Sequence, residues 1–344
     1  MKKAGIIITA DDYGLTDECN QGILKAVQRG MVTSVHVMVN MTSEAEMDDL
    51  KDAVSDGGHK CGIGLHLNTT YGPSLVQENA SFKYRKGLGD RKRFFFKGLG
   101  DYAHLNAIRK KNRLKMEKEL TTQFQTLSKW VGGDEKIDAI SSHHNVHVWD
   151  RHFIRIINKL GKVAKIPVRS PVRWVTNNQN PDLGGYKYPG GYGPITKTGI
   201  KNIRKIIKSP GTIELMSTGL PMRYKTQKAC RDLIVEQGGG LSPRNNSGHW
   251  YGQPSLEALE WFMNTLVELN QKSEGYSSEI FTHLSNSAYC SKKPKIDSDW
   301  DYKLKKRKEE YDVLTDISTV QKFNALKEKV GILHGSYRTV LQQP

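Results

Sequence analysis

An α/β fold built on a parallel sheet is what this 344-residue sequence predicts, and two observations predict it. Short apolar, β-rich runs alternate with stretches whose apolar residues fall at helical spacing, the rhythm of strand–helix–strand units. Several of those runs also end on an ionisable residue, and in parallel sheets the C-terminal strand edge is where functional groups collect. With no internal repeat and no linker, one domain over 1–344 is expected.

The elements follow in order. Gly5-Ile6-Ile7-Ile8-Thr9-Ala10 reads as a buried strand, and the adjacent carboxylates of Asp11 and Asp12 stand where it should end, before the turn residue Gly14. Because neighbouring strand residues face opposite ways, one acid is free to hold a metal while the other, released by the loop, acts as a base. Thr16-Asp17-Glu18 opens a helix that Gly30 stops, Ser34 to Asn40 forms a second strand, Thr42 to Val54 a second helix and Gly62 to Asn68 a third strand. A basic, aromatic insertion from about Tyr71 to Asp101, with Phe94-Phe95-Phe96, is too long for an ordinary connection. A helix from about His104 to Trp130 leads to Asp138–His147, a strand running into a loop. Helix Arg151–Lys162 and the short strand Val168-Arg169 come next, then a Gly-, Tyr- and Pro-rich insertion over Asn177–Lys197. Strand Thr212–Met216, a helix after Pro221, a loop over Glu236–Gln253, helix Ser255–Leu269, strand Ser278–His283, a charged helix from about Trp300 and a short strand near Val330–His334 complete the chain.

Composition narrows the function classes. No apolar run reaches the roughly 18 residues that span a bilayer, and the N-terminus lacks a signal peptide's apolar core, so a cytoplasmic protein with no membrane partner is expected. Cys19, Cys61, Cys230 and Cys290 are widely spaced, which suggests neither a zinc knuckle nor a disulfide framework. Fifty-two basic against 36 acidic residues give a net charge of +16, which raises nucleic acid as a partner. The basic residues gather in 85–115, 197–208 and 292–308 without a nucleic-acid-binding motif, so a solvated basic surface and no specific nucleic acid are expected.

Asp11, Asp12, His66, His143 and His283 each stand at the expected C-terminal end of a strand. Two imidazoles and one carboxylate with open positions form a catalytic metal shell, and Asp12, His66 and His143 are the expected ligands. Asp11 is then free to take a proton, and His283 to donate one to a leaving group. In extended chain His143, Asn145 and His147 share a face, so His147 is a second ligand or an orienter of the shell, while His144 points away into packing. His36, His59, His104, His152, His249 and His334 lack this context and read as ordinary histidines.

Ala10-Asp11-Asp12-Tyr13-Gly14, Val32-Thr33-Ser34, Val39-Asn40, Gly64-Leu65-His66-Leu67-Asn68, Ser142-His143-His144-Asn145-Val146-His147 and Glu310-Tyr311-Asp312-Val313-Leu314-Thr315-Asp316 together resemble the YdjC-like carbohydrate deacetylases. The resemblance implies a TIM-barrel-like α/β fold, distorted or incomplete, with the two insertions set into it, and a homodimer in many members. It also implies one divalent ion, magnesium or zinc, on one Asp and two His, with Asp12, His66 and His143 as ligands and Asp11 as base. The implied reaction removes an acetyl group from an N-acetylated sugar. His283-Leu284-Ser285 replaces the His-Pro-Gly usual in the family, and Asn145 replaces the third residue of its histidine triplet. Arg169 is placed to orient Asp11, to contact the sugar or to form a surface ion pair. Tyr71, Trp174, Tyr186, Tyr188 and Tyr192 are candidates for a sugar-stacking wall. Two rivals share the features: a non-haem iron oxygenase with the same two-His-one-carboxylate shell, and a basic polymer-binding protein with a structural metal.

Overall fold

Six strands lie side by side in the order β4-β3-β2-β1-β6-β5, every pairing parallel, in a computed structural model. They are β1 (Gly5–Tyr13), β2 (Ser34–Val37), β3 (Gly62–Leu67), β4 (Ile140–Ser142), β5 (Asn245–Asn246) and β6 (Ser277–Thr282). A seventh, β7 (Leu333–His334), pairs with the first residues of β1. The structure describes residues 2–56, 61–69, 71–76, 110–148, 151–162, 164–172, 229–237, 241–246, 255–289 and 300–343. The sheet is a curled partial barrel with helices around it, an α/β fold of TIM-barrel type.

β1 is the centre because its first half is apolar: Ile6, Ile7, Ile8 and Ala10 are wholly buried. Each such isoleucine removed from water is worth roughly 1.5–3 kcal/mol. Parallel pairing sends every strand's C-terminal end to the same edge, which is what brings distant chain segments to one place.

The helices begin where the sequence supplies caps. Thr16 Oγ1 accepts from Cys19 N at 3.2 Å to start α1 (Asp17–Gln28), and Asp17 and Glu18 favour the positive end of that helix. Further helices are α2 (Glu44–Asp56), α3 (Lys110–Val131), α4 (Arg151–Gly161), α5 (Leu256–Lys272), capped by Ser255, and α6 (Trp300–Thr315). After α6, Asp316 caps α7 (Ile317–Val330), Gly331 ends it in the left-handed conformation that glycine tolerates, and α8 (Tyr337–Leu341) closes the described chain.

Several expectations need correction. β1 runs through both acids to Tyr13, so neither is released into a loop. β2 stops at Val37 because Met41 N and Thr42 N both turn back to the Met38 carbonyl. β4 ends at Ser142, and 143–148 is a helical turn rather than extended chain. The expected strand Val168-Arg169 is a single bridge, Ile140 to Val168. β5 lies inside the expected 236–253 loop, and α7 and α8 follow what was read as one charged helix and a short strand. Strand 212–216, insertion 177–197 and all of insertion 71–101 beyond residue 76 lie outside the described residues. Among the described residues no helix is long and apolar enough to cross a membrane.

Candidate active site

The two acids of β1 reach one pocket because the strand is irregular there. Ala10 pairs with Val35 and Tyr13 with Val37, so β1 spends one residue more than β2 over the same span. The extra residue is accommodated with Asp12 at φ 69, a conformation Asp adopts more readily than most residues. Strict alternation is lost, and Asp11 and Asp12 both end up buried beside His66.

His66, on β3, puts Nε2 3.3 Å from Asp12 Oδ1. His143 follows β4 directly and puts Nδ1 2.9 Å from the same oxygen. Asp12, His66 and His143 thus present ligand atoms all within 4.8 Å of one another, from β1, β3 and the turn after β4. Two imidazoles and a carboxylate with open positions suit a catalytic divalent ion. Burial pushes the Asp12 carboxyl up, but His143 and Arg307 beside it outweigh burial and hold it well below the usual carboxylate range, ionised as a ligand must be. The donor set fits a metal.

Asp11, His36 and His66 form a second such cluster. A cation there would face the guanidinium of Arg169, whose Nη2 lies 2.8 Å from Asp11 Oδ1 and 3.3 Å from His36 Nδ1. That site already holds its cation in Arg169.

Arg169 is wholly buried, which removes the surface-ion-pair reading. It donates to Asp11 through Nη1 (2.6 Å) and Nη2 (2.8 Å), and to Glu279 through Nε (2.9 and 3.0 Å) and Nη2 (2.7 Å). Its guanidinium also lies 4.6 Å from the centre of the Phe281 ring. Burial raises Asp11 and the charge of Arg169 lowers it, with the net result well below the ordinary carboxylate value.

His283 follows β6 and puts Nε2 4.0 Å from Asp12 Oδ2. Burial lowers it to about 4, with Arg307 and His66 adding to the effect and Asp12 opposing it, so the ring is neutral at pH 7. His147 Nδ1 bonds Ser142 Oγ at 2.6 Å, and its backbone N–H donates to that hydroxyl at 3.0 Å. It therefore shapes the turn that aims His143. Left-handed His144 (φ 58) and Asn145 (φ 52) make that turn, and Asn145 suits it. His144 is exposed rather than packed inside, its ring centre 4.1 Å from that of His143.

Besides Glu279, His36, Ser141, Arg307 and Glu310 escaped the sequence reading. His36, passed over as ordinary, is fully buried, its Nδ1 3.4 Å from Asp11 Oδ1. Ser141 Oγ sits between His66 Nδ1 (2.7 Å) and His36 Nδ1 (2.6 Å). Arg307, on the charged helix α6, donates from Nη2 to Asp12 Oδ2 at 2.6 Å. Glu310, one turn further along α6, accepts from His283 N at 2.7 Å. The motif 310–316 pointed to this helix without showing what its residues touch.

Tyr71 is the described member of the expected aromatic wall, its ring centre 6.2 Å from that of His143. Its loop is built firmly: buried Glu119 of α3 accepts from Ser74 Oγ (2.5 Å), Leu75 N and Val76 N (both 3.1 Å). Trp174, Tyr186, Tyr188 and Tyr192 lie outside the described residues.

Burial pushes the Glu310 carboxyl up to about 8, against the opposing His283 N–H and Arg307. A carboxyl raised in the fold from an ordinary value of 4.5 favours the folded chain most below that value, and the contribution is lost as pH rises through 8. We expect urea unfolding of metal-free protein to show wild type losing stability relative to E310Q between about pH 5 and 8. Parallel pH dependences for the two proteins would contradict the assignment.

Comparison with known proteins shows the family. A family model described as YdjC-like protein matches residues 5–325. A carbohydrate deacetylase of Geobacillus stearothermophilus is 29% identical over 217 residues, covering 61% of this chain and 77% of that protein. Another, from Brevibacillus brevis, is 30% identical over 174 residues, covering 51% and 61%. The chain thus spans about six-tenths of the Brevibacillus relative's length. A crystal structure from Enterococcus faecalis V583, described as a cellobiose-phosphate cleavage protein, superposes with a TM-score of 0.58 at 20% identity, covering 98% of this chain and 99% of that one, and shares the fold. With its family model matched from β1 into α7 and its strand-end acids and histidines gathered at one edge, the chain belongs to the YdjC-like family.

Proposed function

We propose that this chain is a metal-dependent hydrolase that removes the acetyl group from an N-acetylated sugar, with one divalent ion, magnesium or zinc, held by Asp12, His66 and His143. The observation that carries the reading is the convergence of those three groups within 4.8 Å beside a second, separately held carboxylate. The carbohydrate substrate rests on the relatives, which are carbohydrate deacetylases, and on Tyr71 placed beside His143.

A divalent ion in this shell supplies Lewis acidity for an amide carbonyl and lowers the pKa of water. The chain's own groups do the rest. Asp11 takes the proton of the attacking water. Arg169 keeps that carboxylate ionised and fixed, clamped from behind by Glu279. His283, neutral at rest, serves the departing amine by relaying to it the proton that Asp11 has taken from the water, so that both groups end as they began. Arg307 holds Asp12 Oδ2, which leaves Oδ1 facing the two imidazoles.

The test is acetate release from a panel of N-acetylated mono- and oligosaccharides, without oxygen, by chelator-stripped protein before and after addition of zinc or magnesium. Release that depends on the added metal, with one free amine per acetate, is expected. Absence of release with every metal, or release that requires oxygen, would overturn the reading.

A further inference from the structure

We propose that Glu310 is a positioning residue for His283: it holds the backbone of His283 so that the imidazole stands beside Asp12. The inference rests on the reading of His283 as proton donor to the departing amine. Glu310 itself donates nothing to the reaction and acts through His283.

His283 stands one residue past the last paired position of β6, where Thr282 lies opposite Ala10. From there the chain leaves the sheet, and His283-Leu284-Ser285 contains no proline to fix its backbone. Hydrogen bonds supply the stiffness instead. Glu310 Oε2 accepts from His283 N at 2.7 Å, at the residue that carries the imidazole. Ser285 N donates to the Arg307 carbonyl at 3.4 Å, and Asn286 N to the Glu18 carbonyl at 3.1 Å. Gly22 lets α1 come this close, since a Cβ there would lie 2.9 Å from Asn286 N and 3.0 Å from Ser285 Cα. Leu284, in between, is wholly buried.

The same turn of α6 holds the facing side of the site. Arg307 Nη2 donates to Asp12 Oδ2 at 2.6 Å, and His283 Nε2 lies 4.0 Å from that oxygen. Arg307 thus sets the carboxylate, and Glu310 sets the backbone of the imidazole beside it. Glu310 is wholly buried, and among the described residues its Oε1 has no hydrogen-bond partner. An apolar side chain would fill that space without burying a polar atom unpaired. The carboxyl is accounted for by its bond to His283.

Substrates that differ in their need for a proton separate positioning from a merely structural role. An amine leaves only once protonated, whereas the nitrophenolate of p-nitrophenyl acetate leaves as the anion. In zinc-loaded protein Glu310→Met, which removes the acceptor, should lower kcat about 100-fold on the best N-acetylated sugar, the cost of misplacing a group by about 1 Å. On p-nitrophenyl acetate, which needs no general acid, the same variant should stay within about threefold of wild type. Glu310→Gln, whose amide oxygen still accepts from His283 N, should match wild type on both. Amide hydrogen exchange on the metal-free proteins needs no turnover. The His283 N–H should be protected in wild type and Glu310→Gln, and exchange about tenfold faster or more in Glu310→Met.

Equal losses on both substrates, no loss on either, or a His283 N–H as protected in Glu310→Met as in wild type would overturn the inference. Should Glu310→Met fail to fold, an unprotected His283 N–H in wild type or in Glu310→Gln would overturn it. Absence of acetate release by wild type, or a His283→Ala variant equally impaired on both substrates, would instead overturn the reading of the reaction. The exchange comparison then still decides whether Glu310 holds His283.

Discussion

Asp11→Asn should bind the divalent ion within about threefold of wild type while losing about 100- to 10,000-fold in kcat, the usual contribution of a positioned general base. That range corresponds to roughly 3–5 kcal/mol of barrier. The amide keeps the shape of the carboxylate and can still accept from Arg169, but it cannot take a proton. KM should change little, because the lost interaction belongs to the transition state. The variant also removes a buried negative charge that faces Arg169 at 2.6 and 2.8 Å. Breaking such a pair can cost about 3–5 kcal/mol of stability, so activity must be read below the variant's own melting point. Glu279 remains on Arg169 and limits that cost. A folded Asp11→Asn protein with wild-type kcat would remove Asp11 from the base role.

His66→Ala is expected to fail at an earlier stage. It deletes one of three ligands and also strands Ser141, so the loss of metal affinity should exceed the about 10- to 100-fold seen when only a supporting contact is removed. Activity should vanish at ordinary metal concentrations and return, if at all, only at very high ones. The contrast between the two variants is the diagnostic feature: one keeps the ion and loses the chemistry, the other loses both. Full zinc occupancy in His66→Ala at wild-type affinity would contradict the assignment.

The sequence made the strand ends legible because an apolar run followed by an ionisable residue has few other uses in a parallel sheet. Asp12, His66, His143 and His283 could be read that way, and parallel pairing brought them to one edge. The pairing order was less legible, since β5 is two residues long in a stretch rich in Gly and Asn. The bulge at Asp12 has no local signature, so alternation suggested opposite faces for two acids that share a site. Asn145 is the one hint of a turn after His143, against a sequence that reads equally well as extended. Arg307 and Glu310 lie among Lys and Glu on a helix whose composition reads as solvated, and only the position of α6 over the mouth reveals their burial. His36 sits inside an alternating strand with nothing to separate it from a core histidine. Arg169 was marked by its strand end; its second partner, Glu279, lies inside β6 rather than at its end.

X-ray absorption on stripped protein reloaded with a single equivalent of zinc addresses the ligand shell without relying on turnover. Two imidazole nitrogens and carboxylate oxygen at about 2.0–2.2 Å, with one imidazole lost in His66→Ala, is the result expected. A shell without imidazole, or an ion that stays in place unchanged when Asp12, His66 and His143 are all replaced, would contradict it.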